Sequence, residues 1–566
     1  MRLQTGRATK PWEGSAAEHT DTAREQTTSP SGKVFLSGVM VLTLSTVLVK
    51  LIGLFYKIPM LHYLGSEGMG YFNAAYEWYA TLCVISTAGL PLAGSMLIAE
   101  ARAKGSAQAV RLIERRMLGL FFALGTVGSL VLFFGAGMIA RLIGSPDTRY
   151  ALMAVAPTLF FSCLSGAYRG YFQGHQNMLP TAISQVIEAL GKLLLGLGFA
   201  VFAWRQGASA PMIAAFAMLG LGIGVGLSTL YLIVHRRKAK EKGGEMPIPL
   251  SLRSPLRRLI GVAVPITVSS SVLSLTRLLD MTMILRRLQH VGYDAAGANA
   301  LYGSYTTMAV PIFNLIPSLI TSVSLAVVPA LTEAIKTGDR AMQQSTARTA
   351  IRITALLSLP ASLAVAIYSR AILSLLFRDE NAAIEVAAPM LSLLAVSIFF
   401  SGLITTTNAM LQAYGHVNAP IGSMLFGALI KLIAAYALIG VPQLHIYGAP
   451  ISTFLCDASI VGINMVVIAR NTDVMEPLRR ALLRPLVVSL IAVGVPGMVY
   501  ASLVRVGYAD IPLFIVAVPV TLLLFGVLCL RSGLIGEREL SLIPGLKSAR
   551  GCRVAAIVRG RTSIEE

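Results

Sequence analysis

Charge is what this sequence has least of. Only 13% of its 566 residues are charged, where a soluble domain carries about 25%. Acids are scarcer still, with 27 Asp and Glu against 47 Lys and Arg, while 55% of the chain is hydrophobic. This excludes an ordinary water-soluble enzyme and a disordered basic nucleic-acid binder. The vocabulary of catalysis is also missing. The cysteines Cys83, Cys163, Cys456, Cys529 and Cys552 make no CxxC pair, and the histidines make no HExxH. There is no glycine-rich phosphate loop and no nucleophile elbow. We therefore expect no enzyme, no metal and no cofactor.

What is present is apolar runs. A transmembrane helix needs about 20 mostly apolar residues, and about fourteen such segments lie between residues 34 and 530. The expected fold is an all-α polytopic membrane protein. Residues 1–33 are polar, without a signal-peptide pattern, and read as a disordered cytoplasmic tail.

The basic residues sort by position. With both termini inside, 33 Lys and Arg fall on cytoplasmic stretches, eight on the opposite face and six within the spans. That asymmetry follows the positive-inside rule and accounts for most of the net charge of +20, with anionic membrane lipid as its partner and no nucleic acid.

The six cations in the spans are Lys50, Lys57, Arg169, Lys192, Arg277 and Lys431; the acids there are Glu77, Glu188, Asp280 and Asp457. Each charge at mid-membrane costs roughly 2.5–3.5 kcal/mol, so each is a functional candidate needing water or a partner. Glu188 and Lys192 are four apart and Arg277 and Asp280 three apart, which suggests local pairs. Arg169 and Lys57 lie towards helix ends, where long side chains snorkel. Lys50 and Lys431 have no carboxylate three or four residues away.

The chain also repeats itself. Glu100-Ala101-Arg102-Ala103-Lys104-Gly105 is echoed by Glu333-Ala334-Ile335-Lys336-Thr337-Gly338. Gly174-His175-Gln176-Asn177 before Pro180 is echoed by Gly415-His416-Val417-Asn418 before Pro420, and Lys192 and Lys431 follow at matching places. The implied organisation is an N-lobe of six helices (34–234), a basic linker (235–258), a C-lobe of six (259–470), two further helices (471–530) and a basic tail (531–566). Two such halves suit a transporter that rocks around a mid-membrane cavity. Pro59, Pro91, Pro265, Pro311, Pro317 and Pro329 interrupt helices one, two, seven and eight, as expected of a cavity lining.

The runs Gly53-Leu54-Phe55-Tyr56-Lys57-Ile58-Pro59, Leu64-Gly65-Ser66-Glu67-Gly68-Met69-Gly70, Ser86-Thr87-Ala88-Gly89-Leu90-Pro91, Tyr168-Arg169-Gly170-Tyr171-Phe172-Gln173-Gly174 and Pro180-Thr181-Ala182-Ile183-Ser184-Gln185-Val186-Ile187-Glu188 resemble the stage V sporulation protein B family. That family sits in the multidrug/oligosaccharidyl-lipid/polysaccharide exporter superfamily beside the MurJ-type lipid II flippases. The resemblance implies a monomeric flippase in the cytoplasmic membrane. It would move an undecaprenyl-pyrophosphate-linked saccharide by alternating access, alongside the cell-wall synthesis machinery. It places the pyrophosphate among cations of helices one, two, seven and eight, here Lys50, Lys57 and Arg277, with Lys192, Lys431 and Arg169 as further cavity cations. Glu77, Glu188 and Asp280 are the candidate charge partners or ion-coupling groups. Where relatives often carry a basic residue after the Gly-Leu-Pro turn, this chain has Ser95-Met96. A cation-coupled multidrug exporter is the alternative, followed by a membrane enzyme and a non-transporting scaffold.

Overall fold

The computed structural model describes residues 30–238, 255–378, 380–416, 418–472 and 475–534. Residues 1–29 and 535–566 of the expected tails and most of the basic linker, like Asp379 and Val417, lie outside the described residues, whereas residues 30–33, expected in the disordered tail, already belong to the first helix. Helices account for nearly all of the rest, without a strand among the described residues. In a bilayer every backbone polar group needs an internal partner, and helices supply it locally. Twelve helices among the described residues are long and apolar enough to cross a membrane, and the protein is an all-α polytopic membrane protein.

The first lobe opens with α1 (Pro30–Thr87), which contains Pro59 and turns sharply at Gly65. Gly65 has φ 66°, a left-handed conformation open to glycine at little cost, and it divides α1 into a first arm (30–64) and a second (66–87). A break before Pro91 leads to α2 (Leu90–Ala103), followed by α3 (Ala107–Leu142), α4 (Thr148–Gly174) and α5 (Leu179–Gly191). A π-helical turn at Lys192–Gly196 joins α5 to α6 (Leu197–Arg205), and α7 (Ala210–Lys238) closes the lobe. Residues 235–238, expected in the linker, continue α7.

The second lobe comprises α8 (Pro255–His290), α9 (Ala295–Ser304), a second π-helical turn (Tyr305–Ala309) and α10 (Val310–Lys336). It continues through α11 (Arg340–Ile367), the short α12 (Ser369–Leu376), α13 (Asn381–Ala413), α14 (Asn418–Ile439) and α15 (Gly448–Asn471). Two more helices, α16 (Met475–Arg505) and α17 (Asp510–Arg531), follow. Pro265, Pro317 and Pro329 lie inside α8 and α10.

The repeat is visible in the caps. Gly105 (φ 69°) and Gly338 (φ 71°) end α2 and α10 in the same left-handed turn. Ser106 and Asp339 then cap α3 and α11, accepting from the backbone N–H three residues on. Apolar contact does not drive helices together in lipid, so close backbone approach and interhelical hydrogen bonds do that work. Gly191 packs against Gly224 and Gly220 against Leu195, which seats the first π-turn on α7. Large apolar side chains such as Leu44, Phe134 and Met138 face outward.

Towards the Gly65 end, the lobes meet on backbone. Gly70 abuts the carbonyl of Asn299 and Gly303 that of Ser66, so a Cβ at either glycine collides with main chain. Arg286 adds hydrogen bonds to the carbonyls of Leu142 and Arg141, each 2.8 Å. At the other end, Arg258 of α8 pairs with Glu100 of α2 at 3.0 Å. Gly89 N–H donates to Thr267 Oγ1 at 3.1 Å.

Candidate functional site

Three helical stripes converge between the lobes on a cleft of about 490 Å³. The first arm of α1 supplies Lys50, Gly53, Leu54 and Lys57, a spacing that puts all four on one helix face. The second arm supplies Asn73, Tyr76 and Glu77, and α9 to α10 supply Tyr302, Thr306, Val310, Asn314 and Ser318. Lys192, heading the first π-turn, completes the wall. The cleft thus holds three lysines and one carboxylate.

Lys57 donates to the Thr306 carbonyl at 2.7 Å. That acceptor is free for a covalent reason. In the π-turn Val310 N–H bonds to Tyr305 O instead of Thr306 O, and Pro311, the next residue, has no N–H to offer. Asn73 Nδ2 fixes the same turn through Thr306 Oγ1 (3.0 Å) and Thr307 Oγ1 (2.8 Å). Lys57 is therefore tied across the lobe boundary, not snorkelling as its sequence position suggested.

Lys192 has a different setting. Its ammonium lies 4.5 Å from the Tyr76 ring centroid, 5.1 Å from that of Tyr56 and 5.8 Å from that of Phe72. Such a cage stabilises a desolvated ammonium by about 2 kcal/mol without cancelling its charge. The expected Glu188–Lys192 pair does not form. Glu188 instead accepts from Arg169 Nη2 at 2.8 Å. Arg169 also reaches Ser184 Oγ at 3.0 Å and Ser228 Oγ at 3.4 Å. It is held by three partners and does not snorkel.

The second expected local pair is also replaced. Asp280 takes Lys431 as its partner, at 2.7 Å. Arg277, with a side chain 58% exposed, lies 3.8 Å from Glu77 and donates to Ser274 at 3.1 Å. Neither Arg277 nor Lys431 lines the cleft. The repeat-related lysines have thus parted roles, Lys431 neutralised by a carboxylate and Lys192 held, among the described residues, by rings. Lys50 lines the cleft and makes no ion pair or hydrogen bond among the described residues.

Sequence reading found the cleft lysines but missed the Tyr56, Phe72 and Tyr76 cage and the Thr306 carbonyl. The cage draws on two arms of α1 and Lys192 far along the chain, so no local spacing announces it. Pro311, five residues after Thr306, was the available signal for the free carbonyl.

Two lobes of matching helix order around a cationic cleft define a transporter fold of the multidrug/oligosaccharidyl-lipid/polysaccharide superfamily. Among solved structures, the inward closed lipid II flippase MurJ superposes with TM-score 0.66 at 15% identity, covering 86% of this chain and 98% of that one. An inward-facing MATE multidrug transporter gives 0.59 at 16% identity, covering 76% and 99%. The chain belongs to the polysaccharide biosynthesis protein family, whose profile matches residues 35–335, and residues 265–437 also match the MatE family. It is homologous to stage V sporulation protein B of Bacillus subtilis, 27% identical over 74% of this chain and 80% of the relative. The lipid II flippase MurJ of the same organism is 26% identical over the same shares.

Proposed function

We propose that this protein is a flippase that carries an undecaprenyl-pyrophosphate-linked saccharide across the cytoplasmic membrane by alternating access. The observation that carries the reading is the cleft itself: Lys50, Lys57 and Lys192 against the single carboxylate of Glu77. A pyrophosphate needs cations where water is scarce, and lysine serves phosphate as a compact point charge. The polyprenyl tail stays in lipid, so only the head needs a polar route. No covalent chemistry is required of the protein.

In this reading the chain makes fourteen crossings. The two arms of α1 count separately and Ala295–Lys336 forms one more. Both termini and the Glu100 end are cytoplasmic, following the basic loops, and the chain acts as a monomer beside the cell-wall synthesis machinery. The cation-coupled exporter reading would rest on free acids in the N-lobe. Glu77 and Glu188 are each matched by an arginine, which leaves little to attract a cationic drug.

Complementation of a flippase-deficient strain tests the proposal. Lys50→Ala and Lys57→Ala are expected to abolish rescue while membrane abundance stays parental. Full rescue by the double variant would overturn it.

A further inference from the structure

Beside the lysine cleft lies a second chamber, of about 500 Å³, within the first lobe. The two share Gly53, Tyr76 and Lys192 as walls. A Cβ built on Gly53 meets nothing within 4 Å, so the partition is open there. The chambers differ in charge. The cleft carries three lysines and one acid, whereas the second chamber sets Arg169 and Lys192 against Glu188, one cation in excess, and adds the neutral Gln185.

The walls of the second chamber combine flat rings with unspent polar atoms. Tyr76 and Tyr79 stand 5.9 Å apart, tilted by 54°. Gln185 accepts a long 3.4 Å contact from Ser45 at Oε1, and no hydrogen bond among the described residues takes its Nε2 donors. Among the described residues Glu188 meets Arg169 through Oε2, with Oε1 as a further acceptor. A ligand pocket of about 300–1,000 Å³ with aromatic walls and a few placed donors and acceptors suits a small organic ligand. One bearing hydroxyls on both edges and a C–H face to lay on a ring matches these groups best.

We propose that this chamber is the saccharide subsite: the sugar next to the pyrophosphate enters past Gly53, stacks on Tyr76 and Tyr79, and hydrogen-bonds Gln185 and Glu188. The assignment rests on the flippase reading and adds to it which wall reads the sugar. A sugar linked through its anomeric carbon to a pyrophosphate in the cleft reaches the neighbouring chamber without leaving Lys192.

The test uses the full chain in nanodiscs and two lipids, undecaprenyl pyrophosphate and lipid II, which share tail and pyrophosphate and differ in the sugar. Gln185→Ala removes the amide, and Val49→Trp fills the chamber from a wall that does not line the cleft. Both should weaken lipid II binding, Gln185→Ala by about 3- to 10-fold and Val49→Trp by more, and leave undecaprenyl pyrophosphate unchanged. Lys50→Ala should weaken both lipids. Equal losses for the two lipids in the chamber variants would make the chamber a tail groove and overturn the proposal. Parental binding of lipid II by both variants would overturn it as well. A parent chain that binds neither lipid brings down the flippase reading and the subsite with it.

Discussion

Lys57 and the main-chain carbonyl of Thr306 lie 249 positions apart in sequence and 2.7 Å apart in space. Helix 1 of one lobe is thereby hydrogen-bonded to a π-turn of the other. Because the carbonyl is exposed by Pro311, the contact depends on backbone chemistry as much as on the lysine.

The Lys57 contact separates two variants. A hydrogen bond to a charged group contributes about 1.5–3 kcal/mol, so Lys57→Ala should lower transport in proteoliposomes by roughly tenfold or more. Pro311→Ala restores an N–H that competes for the carbonyls of the π-turn, and should give a smaller loss with the lysine still in place. Equal losses would show that Lys57 acts through its Thr306 anchor alone, and parental transport by Pro311→Ala would show that it acts without regard to that anchor.

The cage around Lys192 predicts a contrast at Tyr76. Phenylalanine keeps the ring face that attracts the ammonium, and leucine does not. Tyr76→Leu should weaken undecaprenyl pyrophosphate binding several-fold, in line with about 0.5–2 kcal/mol for a cation over a ring. Tyr76→Phe should bind near the parental level. Titration in nanodiscs distinguishes the two.

How far the sequence announces this site depends on which interaction is asked for. Apolar spans and the repeat of the helix caps are legible because the bilayer permits little besides apolar helices, and Gly105 and Gly338 keep the same cap in both halves. The lysine stripe Lys50, Gly53, Leu54, Lys57 is legible for the same reason, through helical spacing. Partner choice is not. Spacing joined Glu188 to Lys192, yet Arg169 on α4 offers Glu188 a planar donor group from a neighbouring helix. Spacing joined Asp280 to Arg277, yet α14 delivers Lys431 to it. Those pairings are decided by how helices pack, which local pattern does not contain.

The Lys431–Asp280 pair should behave as structure, apart from binding. Removing one partner leaves a buried charge, a loss of about 3–5 kcal/mol. Asp280→Asn should therefore lower the melting temperature in detergent markedly, and the Asp280→Leu, Lys431→Leu double variant should recover most of it. Neither change should alter undecaprenyl pyrophosphate affinity in protein that remains folded, since neither residue lines the cleft.

The glycine contacts at the Gly65 end predict a conformational bias. A side chain at Gly70 or Gly303 meets the opposing backbone, which has no flexible end to yield. Gly70→Val should hold that seam apart. A cysteine introduced at Ser66 should then react faster with a membrane-impermeant maleimide added outside cells than it does in the parental background. An unchanged labelling rate would mean that the seam is not the outer closure.

The final prediction concerns the driving force. The pyrophosphate head bears about two negative charges, and each charge moved through an inward-negative potential gains about 2.3 kcal/mol per 100 mV. Lysines that stay in the protein while the head passes do not carry that charge across, so the gain belongs to the substrate. Proteoliposomes with an imposed potassium gradient and valinomycin allow both signs to be compared at fixed pH. Outward flipping should accelerate with the interior negative, slow when the potential is collapsed and slow further when it is reversed. Rates indifferent to the sign would mean that compensating charge travels with the head, either as a co-transported cation or as moving lysines. Repeating the series with Lys192→Met separates these two. A cation taken from solution would leave the rates indifferent, whereas loss of a moving lysine would restore dependence on potential.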